Sequence, residues 1–502
     1  MKPDAFERMR ERSPFISAII KFQCGNAYPF LFALICAVSA SLGKQVYVPC
    51  IAALTLLSVF AGLFSSDLKV FIVPAFMIYY SIGSDKPEDF YSNYYPGKYY
   101  QLFTDTRTIP SFDRSALRFF IVCLFVLALI LLYKMMQKGV FKMMLSDRGM
   151  FFYGIIALDA ALILNGIGGG AWSIGCLTYG LLSALVITVC YCLFYTIIKE
   201  CENGISYVCI TLVATSLCVL LQVLAVFVQL QRYDIFINPQ FVTYDVINRH
   251  LFSTAWGLVT IVAAVIACGI PSAFYLVRNK KAPFICFLLA LAFFASSIIV
   301  NTRSAMIFGG AALICGIICS LSGKNKRINR VMTLILAMIV IGFSSFVLIK
   351  VPEYIGAIIE NLSLTLRLNF DTEEGMLPAM LGARYDIWVG GIKNFLSAPV
   401  FGVGFVSEGI EINRVYDHMC HNVVIEFLSS MGTVGILAFA FHLFAIFKLA
   451  LKNFSANKLL LLGVPLCIIG MSLFDNFFFY PNFIIIYGAF LACAELYSEK
   501  EI

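Results

Sequence analysis

Two of the four histidines in the 502-residue chain, His418 and His421, lie where a polar loop meets an apolar stretch, in DHMCHNVVIEFLSSMGTVGIL. Histidine accepts and donates protons near neutral pH, which suits it to general acid–base chemistry. If this segment is helical, Asp417 and His421 share a face and the carboxylate can orient the imidazole. Asn422 and Glu426 have the same four-residue spacing. The alternative interpretation is that these polar residues only mark the boundary between membrane and water.

Two arginines are candidates for binding an anion. Arg303 lies in VNTRSAMIF, between two apolar runs with almost no room for a loop. An arginine near membrane depth is costly and usually faces a polar cavity, although some extend to the interface instead. Arg384 begins the stretch RYDIWVGGIKNFL, where it could also be an ordinary solvated loop residue. Together with His421, the two arginines predict a site that binds phosphate oxygens and accepts a proton.

The composition indicates which elements must position these residues. The chain is 61% hydrophobic and only 13% charged, with a mean hydropathy of +0.89. These values exclude an ordinary water-soluble protein, and the continuous apolar runs predict an all-α polytopic membrane protein. The net charge of +7 is therefore interpreted as a record of topology rather than as a sign of nucleic-acid binding. The 17 cysteines lie mostly in apolar runs, where they act as small hydrophobic residues.

Hydropathy and turn signals predict about fourteen transmembrane helices in a single membrane domain, 1–502. The predicted spans are 28–43, 46–64, 68–83, 116–133, 150–165, 171–198, 204–230, 253–277, 283–300, 303–321, 331–350, 421–447, 459–474 and 482–497. The basic N-terminal region is too long for a conventional signal peptide, so the first apolar run is predicted to be an uncleaved span. Alternation of lysine and arginine between successive connections places the N- and C-termini in the cytoplasm.

Two long connections are predicted to be extracytoplasmic. The loop 84–115 contains five tyrosines, and Tyr95 among them could stack against a sugar or belong to an interfacial aromatic belt. The large loop 351–420 precedes the twelfth span, and its length favours a functional role. Within it, 384–396 is predicted to form a short amphipathic helix that Pro399 ends. The glycine-punctuated FGVGF that follows is predicted to turn the chain back toward the membrane.

The order TRSA, RYDIW, PVFGVGF and HNVVIEFLSSMGTVGIL resembles the C-terminal signature of the bacterial O-antigen ligase and polymerase family. The resemblance covers about residues 301–437, and the HNVVIEFLSSMGTVG stretch is its most specific part. The number of spans and the large outer loop are also similar to those of the family. One departure is Thr302, because serine is commoner before the arginine.

This resemblance implies a metal-independent inverting glycosyltransferase that uses undecaprenyl-pyrophosphate-linked glycans outside the bacterial cytoplasmic membrane. Carried over by position, Arg303 and Arg384 would hold the pyrophosphate, and His421 would activate the acceptor hydroxyl. No cofactor or metal is implied, and the acidic stretch 371–374 is interpreted as a solvated patch in preference to a divalent-cation site. The partners implied are a lipid-linked oligosaccharide donor and acceptor, membrane lipid and other polysaccharide-assembly proteins, with no nucleic acid.

Three functions remain open at this point. The first is a polymerase that joins lipid-linked repeat units into a surface polysaccharide, namely O-antigen, capsule or exopolysaccharide. The second is an O-antigen ligase that transfers the glycan to a lipid A core or to a protein. The third, of another class, is a lipid-linked glycan flippase, against which the absence of a visible inverted repeat argues.

Several polar residues are given structural interpretations. Asp159, near the centre of its span, is predicted to point into the helix bundle toward a partner that the sequence does not identify. His250 and His442 are predicted to be structural. Asp475 and Asn476, in DNFFFYP, could line the rim of the site, but a plain turn is the favoured interpretation.

Overall fold

The computed structural model describes residues 9, 12–42, 44–82, 114–137, 150–167, 174–232, 259–300, 302–321, 383–405 and 420–500. Within these residues the structure is helical and contains no strand, as the hydropathy pattern predicts. The helices are α1 Pro14–Gln23, α2 Tyr28–Ser41, α3 Lys44–Phe64, α4 Ile72–Ile82, α5 Arg114–Gln137, α6 Met150–Ile163, α7 Ile174–Glu200, α8 Gly204–Arg232, α9 Val259–Arg278, α10 Pro283–Ile299, α11 Arg303–Leu321, α12 Ala383–Ser397, α13 Val423–Leu451, α14 Ala456–Met471 and α15 Pro481–Lys500. Short 3-10 turns cover Leu68–Phe71 and Phe477–Phe479.

Six of the described helices are long and apolar enough to cross a membrane, namely α3, α7, α8, α9, α11 and α13. A seventh span results if α1 and α2 are counted together, although they are bent by 79° from each other. Other predicted spans form shorter apolar helices, among them α10 and α14. The predicted span 331–350 lies outside the described residues. The structure thus contains several spanning helices, and the total of fourteen stays a prediction.

Close packing of the helices depends on small residues at the contacts. Helix α9 is buried along nearly its whole length and packs against α8, α10, α11 and α14. A Cβ atom at Gly316 would collide with the ring of Phe274, and one at Gly470 would collide with the ring of Phe308. In lipid the hydrophobic effect does not drive helix association, so close contacts of this kind stabilise the bundle.

Two contacts show that α11 and α14 run antiparallel. Near the start of α11, the rings of Phe308 and Phe474 lie 6.4 Å apart, centroid to centroid, and Phe474 follows the end of α14. At the other end, Arg278 Nη1 donates to the carbonyl of Cys319, and Arg278 Nε donates to Asn457 Oδ1 at 2.9 Å. We call these the His421 end and the Arg278 end of the bundle, because His421 lies beside the residues that follow α14.

The buried polar residues inside the bundle have specific partners. Asp159 is buried and accepts a hydrogen bond from the hydroxyl of Thr188, which is the partner that the sequence did not identify. His442 is fully buried, and its Nε2 lies 2.6 Å from the hydroxyl of Tyr487. Its environment agrees with a structural role, whereas His250 lies outside the described residues.

Candidate active site

His421 lies immediately before α13, at the point where the chain enters the bundle. Asn422 is the N-cap of this helix, because its Oδ1 accepts the N–H groups of Val424 at 2.9 Å and Ile425 at 3.2 Å. The other amide atom, Nδ2, donates to the carbonyl of Leu473 at 2.9 Å. Asn422 therefore starts the helix and also ties it to the segment that follows α14.

The helical geometry on which the predicted pairing of Asp417 with His421 depends is not present at His421. His421 has a φ of +46°, and the N-cap follows it, so no helix extends backward from α13 through this residue. Asp417 itself lies outside the described residues. Asn422 and Glu426 do not pair through their side chains either, because the Glu426 carboxylate accepts the N–H of Cys420 at 2.8 Å.

Among the described residues, Asp475 is the carboxylate that contacts His421. The distance between His421 Nδ1 and Asp475 Oδ1 is 3.1 Å, although the two residues are 54 positions apart. The side chain of Asp475 is 10% exposed, whereas that of His421 is 38% exposed. The sequence interpretation of DNFFFYP as a plain turn is therefore wrong, because this turn supplies the partner of the imidazole.

The contact with Asp475 determines which ring nitrogen of His421 is available for chemistry. A carboxylate accepts hydrogen bonds and does not donate them, so Nδ1 carries the proton that it donates to Asp475. Whenever the ring is neutral, Nε2 keeps its lone pair. The side-chain Nδ2 of Asn476 lies 3.4 Å from the same Nδ1, and the backbone N–H of Asn476 donates to Asp475 Oδ1 at 2.8 Å. The arrangement leaves Nε2 able to accept a proton.

Asp475 is charged at neutral pH. Burial raises the pKa of this carboxyl. The hydrogen bond and charge of His421, the N–H of Asn476 and the charge of Arg384 lower the pKa by more than burial raises it. The pKa of Asp475 therefore lies below its usual value. Burial and the negative charge of Asp475 also raise the pKa of Tyr480, which remains a neutral phenol. The effect of Arg384 on Asp475 places the start of α12 near the His421–Asp475 pair.

Helix α12 holds Arg384 by packing its small and polar residues against α13. A Cβ atom at Gly391 would lie 2.6 Å from Cγ2 of Ile425 and 2.8 Å from Sγ of Cys420. Asn394 Nδ2 donates to Ser429 Oγ at 3.2 Å. The predicted helix is confirmed in position, and Ile392 and Leu396 lie exposed on it.

Pro399 and Val400, which precede the FGVGF turn, fix α12 relative to α13 by filling a break in α13. Gly432 has a non-helical φ of +63°, which interrupts the hydrogen bonds of this helix. The carbonyl of Pro399 accepts the N–H of Thr433 at 2.8 Å, and that of Val400 accepts the N–H of Val434 at 3.1 Å. The predicted turn is confirmed, and it anchors the helix that carries Arg384 to the helix that follows His421.

Two glycines allow this turn to approach α13 closely. Gly402 and Gly404 have φ values of +69° and +84°, in the left-handed region that favours glycine. The N–H of Gly404 donates to the carbonyl of Ser430 at 3.0 Å, and a Cβ atom at Gly402 would collide with the backbone of Ser430. Asn165 then accepts the N–H of Phe405 at 3.2 Å and ties the turn to the residues after α6.

Arg303 begins α11 and lies at the His421 end of the bundle. It is partly buried, and Phe308 of the same helix packs against Phe474, the residue that precedes Asp475. The structure thus brings His421 and Arg384 to Asp475 and places Arg303 at the same end. The remaining predicted site residues Asp417, His418 and Tyr95 lie outside the described residues, as does the acidic stretch 371–374.

Three buried polar atoms at this end have no hydrogen-bond partner within the part of the chain that the structure describes. They are the Thr302 hydroxyl, the Trp388 indole nitrogen and the Asn476 amide oxygen. Thr302 precedes Arg303, Trp388 is one helical turn after Arg384, and Asn476 follows Asp475. Buried polar groups are normally paired, so the site has hydrogen-bonding capacity left for a ligand. Sequence reasoning did not identify Trp388 as a candidate residue.

Residues 284–440 match the family model described as O-antigen ligase. No curated protein matches the chain. The matched range contains Arg303, Arg384, His421 and the FGVGF turn, whereas Asp475 lies beyond it. The match confirms the resemblance drawn from the sequence motifs: the chain carries an O-antigen ligase domain, as expected of an O-antigen ligase/polymerase-family protein. Together with the apolar helices, it indicates a multi-pass membrane protein with a function of this general kind.

Proposed function

We propose that the protein is a polymerase that joins undecaprenyl-pyrophosphate-linked oligosaccharide repeats into a surface polysaccharide. The reaction would take place on the outer face of the bacterial cytoplasmic membrane. The observation that carries this proposal is the 3.1 Å contact between His421 and Asp475, with Arg384 close enough to influence the same carboxylate. A proton acceptor beside a guanidinium group suits the attack of a hydroxyl on a sugar that is linked to pyrophosphate.

In the proposed reaction, His421 Nε2 takes the proton of the acceptor hydroxyl as its oxygen attacks the anomeric carbon of the donor. The new bond forms on the face opposite to the pyrophosphate, so the configuration of the anomeric carbon inverts. The bond between this carbon and the phosphate oxygen breaks, and its electron pair leaves with undecaprenyl pyrophosphate. Asp475 holds the imidazole and stabilises the positive charge that it gains, since the carboxylate is already ionised.

The arginines act on the leaving group in this proposal. Negative charge grows on the pyrophosphate oxygens as the bond breaks, and a guanidinium fork can donate two hydrogen bonds to such oxygens. Arg384 is held near the imidazole by the α12–α13 packing, and Arg303 lies at the same end of the bundle. The two groups would stabilise the charge without a divalent cation.

A second candidate function is a ligase that transfers the assembled glycan to a lipid A core or to a protein. The description of the matching family as O-antigen ligase favours it. The same residues would serve both reactions, because only the acceptor hydroxyl differs. A flippase is less well supported, because the His421–Asp475 contact lies in the connections at one end of the bundle.

The experiment that separates these functions is a gel of surface and lipid-linked glycan from cells that carry His421→Ala. If the protein is a polymerase, single repeats persist at the surface and the ladder above them disappears. If it is a ligase, the ladder forms on undecaprenyl pyrophosphate but not on the final acceptor. Lys452→Ala serves as the control, since Lys452 is exposed and follows α13 at the Arg278 end. An unchanged surface ladder in His421→Ala cells would contradict both functions.

A further inference from the structure

Helix α1 does not continue straight into α2. It covers Pro14–Gln23, starts at the N-cap Ser13, and is followed after four residues by α2, from which it is bent by 79°. Helix α2 packs against the spanning helix α8, so a helix nearly perpendicular to α2 lies close to the plane of the membrane. Its ten residues are also too few to cross the hydrocarbon core, which needs about 20.

The position of α1 is fixed by contacts with three other helices. The side-chain amide of Gln23 donates to the carbonyl of Leu57 in α3 at 3.2 Å, and the backbone carbonyl of Gln23 accepts a hydrogen bond from the hydroxyl of Tyr207 in α8 at 2.8 Å. Phe22 packs edge to face against Tyr28, with ring centroids 5.8 Å apart. Ile20 and Gln23 are buried by these contacts. The helix is therefore docked on the bundle by one face only.

Helix α1 lies at the Arg278 end of the bundle. Helix α7 connects the two ends, because Cys176 near its start contacts the carbonyl of Phe405 at 3.6 Å, in the turn beside the candidate site. Beyond the end of α7 at Glu200, Cys201 Sγ lies 3.3 Å from Asp67 Oδ1, and the hydroxyl of Tyr207 donates to the backbone carbonyl of Gln23 in α1. This end is the one that the distribution of basic residues predicts to be cytoplasmic.

The undocked face of α1 is both aromatic and basic. Phe15 is 72% exposed and Phe22 is 46% exposed, and the side chains of Arg12 and Lys21 are also exposed. Residues 12–23 contain no acidic residue, so neither Arg12, which precedes the cap Ser13, nor Lys21 in α1 has an acidic residue beside it within this segment. The preceding residues 1–11 contain three basic and three acidic residues and do not cancel this charge.

We propose that this face of α1 binds the headgroup layer of anionic phospholipids at the Arg278 end of the bundle. Exposed phenylalanines suit the boundary between headgroups and acyl chains, and arginine and lysine suit lipid phosphates beside it. A re-entrant segment would instead carry Arg12 and Lys21 toward the hydrocarbon, where charged groups are costly. This surface is separate from the candidate active site and does not depend on the proposed function.

The test uses the full-length protein in liposomes of phosphatidylcholine and phosphatidylglycerol, with Phe15→Trp as a fluorescent reporter. The signal of the added tryptophan is obtained by difference from the parent protein. Brominated lipid of either headgroup is introduced at the same mole fraction. We expect bromination of phosphatidylglycerol to quench the reporter about twofold more strongly than bromination of phosphatidylcholine, because anionic lipid is concentrated around Arg12 and Lys21.

Two further variants make the test specific. Adding Arg12→Gln and Lys21→Gln to the reporter protein should equalise quenching by the two lipids without abolishing it. Phe125→Trp, at a residue in the apolar helix α5 that is 63% exposed, is the matched control and should show no headgroup preference. Phe22→Trp is a second reporter in case the first destabilises α1. The proposal would be overturned if neither lipid quenched the reporter. It would also be overturned if both lipids quenched it equally in the reporter protein that keeps Arg12 and Lys21.

Discussion

The two described histidines of the chain lie in very different surroundings, although α13 begins beside one of them and contains the other. His442 is fully buried in the bundle, with its Nε2 2.6 Å from the hydroxyl of Tyr487. His421 is 38% exposed, and one ring nitrogen faces the charged Asp475. Burial and a neutral partner hold the first imidazole in place, whereas the second combines an oriented ring with access from outside.

The arginines at the two ends of the bundle differ in a similar way. Arg278 binds Asn457 and the carbonyl of Cys319, and through them connects α9, α11 and α14. Arg384 acts on Asp475 in a region where the Trp388 indole nitrogen and the Asn476 amide oxygen have no described partner. Networks of the first kind stabilise a fold, and regions with spare donors and acceptors suit a ligand. Buried polar atoms without a described partner also occur at the Arg278 end, at Gln23 and Ser320, so the functional assignment of the His421 end depends on the His421–Asp475 contact.

The largest predicted effect separates the two histidines. His421→Ala should lower the rate of glycan elongation per folded molecule by on the order of 10²- to 10⁴-fold, because it removes the proposed proton acceptor. His442→Gln should instead lower stability, by about 1–3 kcal/mol, because it disturbs a buried hydrogen bond. Both quantities are measured on purified protein, as elongation rate and as the midpoint of thermal unfolding. Similar elongation rates for the two variants would remove the distinction.

The second-largest predicted effect comes from Asp475, the carboxylate that orients His421. Asp475→Asn keeps the shape of the side chain but no longer favours the proton on Nδ1 of His421. We expect elongation to fall by about 10²- to 10³-fold without loss of folded protein. Thermal unfolding and elongation are again measured together. A variant that folds normally and retains wild-type activity would show that the His421–Asp475 contact is only structural.

A smaller effect distinguishes the two arginines. Arg384→Lys keeps the charge but loses the planar fork, so elongation should fall about tenfold while stability stays unchanged. Arg278→Lys should have the opposite result, with lower stability and an unaltered rate per folded molecule. Arg118→Lys is the control, since Arg118 is exposed on α5. Equal effects of the Arg384 and Arg278 substitutions on both measurements would argue against separate roles.

The smallest expected effect is on the pH dependence of stability. The pKa of Asp475 is lower in the folded protein than in the unfolded chain, so its contribution to stability is complete above the unfolded value of about 3.9. That contribution is lost as the pH falls through the folded pKa. The difference in unfolding free energy between the wild-type protein and Asp475→Asn should shrink as the pH falls below about pH 4. A difference that grows below about pH 4 would contradict an ionised Asp475 in the folded protein.

Sequence reasoning identified the chemical types of the site but not their arrangement. His421, Arg303 and Arg384 were recognisable because charged or titratable residues are rare in so apolar a chain. Asp475 was missed because it is 54 residues from His421, and only the packing of α13 beside α14 brings the two together. Asn422 gave a usable signal, since asparagine before an apolar run is a common N-cap. It would have placed the start of the helix after Asn422 instead of before Asp417.

The fold was predictable to a similar extent. Hydropathy predicted a helical membrane protein, and glycine spacing predicted the FGVGF turn. Neither pattern could predict that Gly432 breaks α13 and that Pro399 and Val400 fill the break, because the hydrogen bonds that fill it join distant segments of the chain. Nor did hydropathy distinguish the docked helix α1 from the span that follows it, since both are apolar and only their 79° bend separates them.

The central claim is that His421 and Asp475 act as one unit on a lipid-linked glycan, and a double-mutant cycle tests it most directly. Lipid-linked repeats extracted from His421→Ala cells serve as substrate for reconstituted protein in buffer that contains EDTA. The wild-type protein should elongate them, and the double variant His421→Ala/Asp475→Asn should be no slower than His421→Ala alone. Losses that multiply in the double variant, or elongation by His421→Ala at the wild-type rate, would contradict the account.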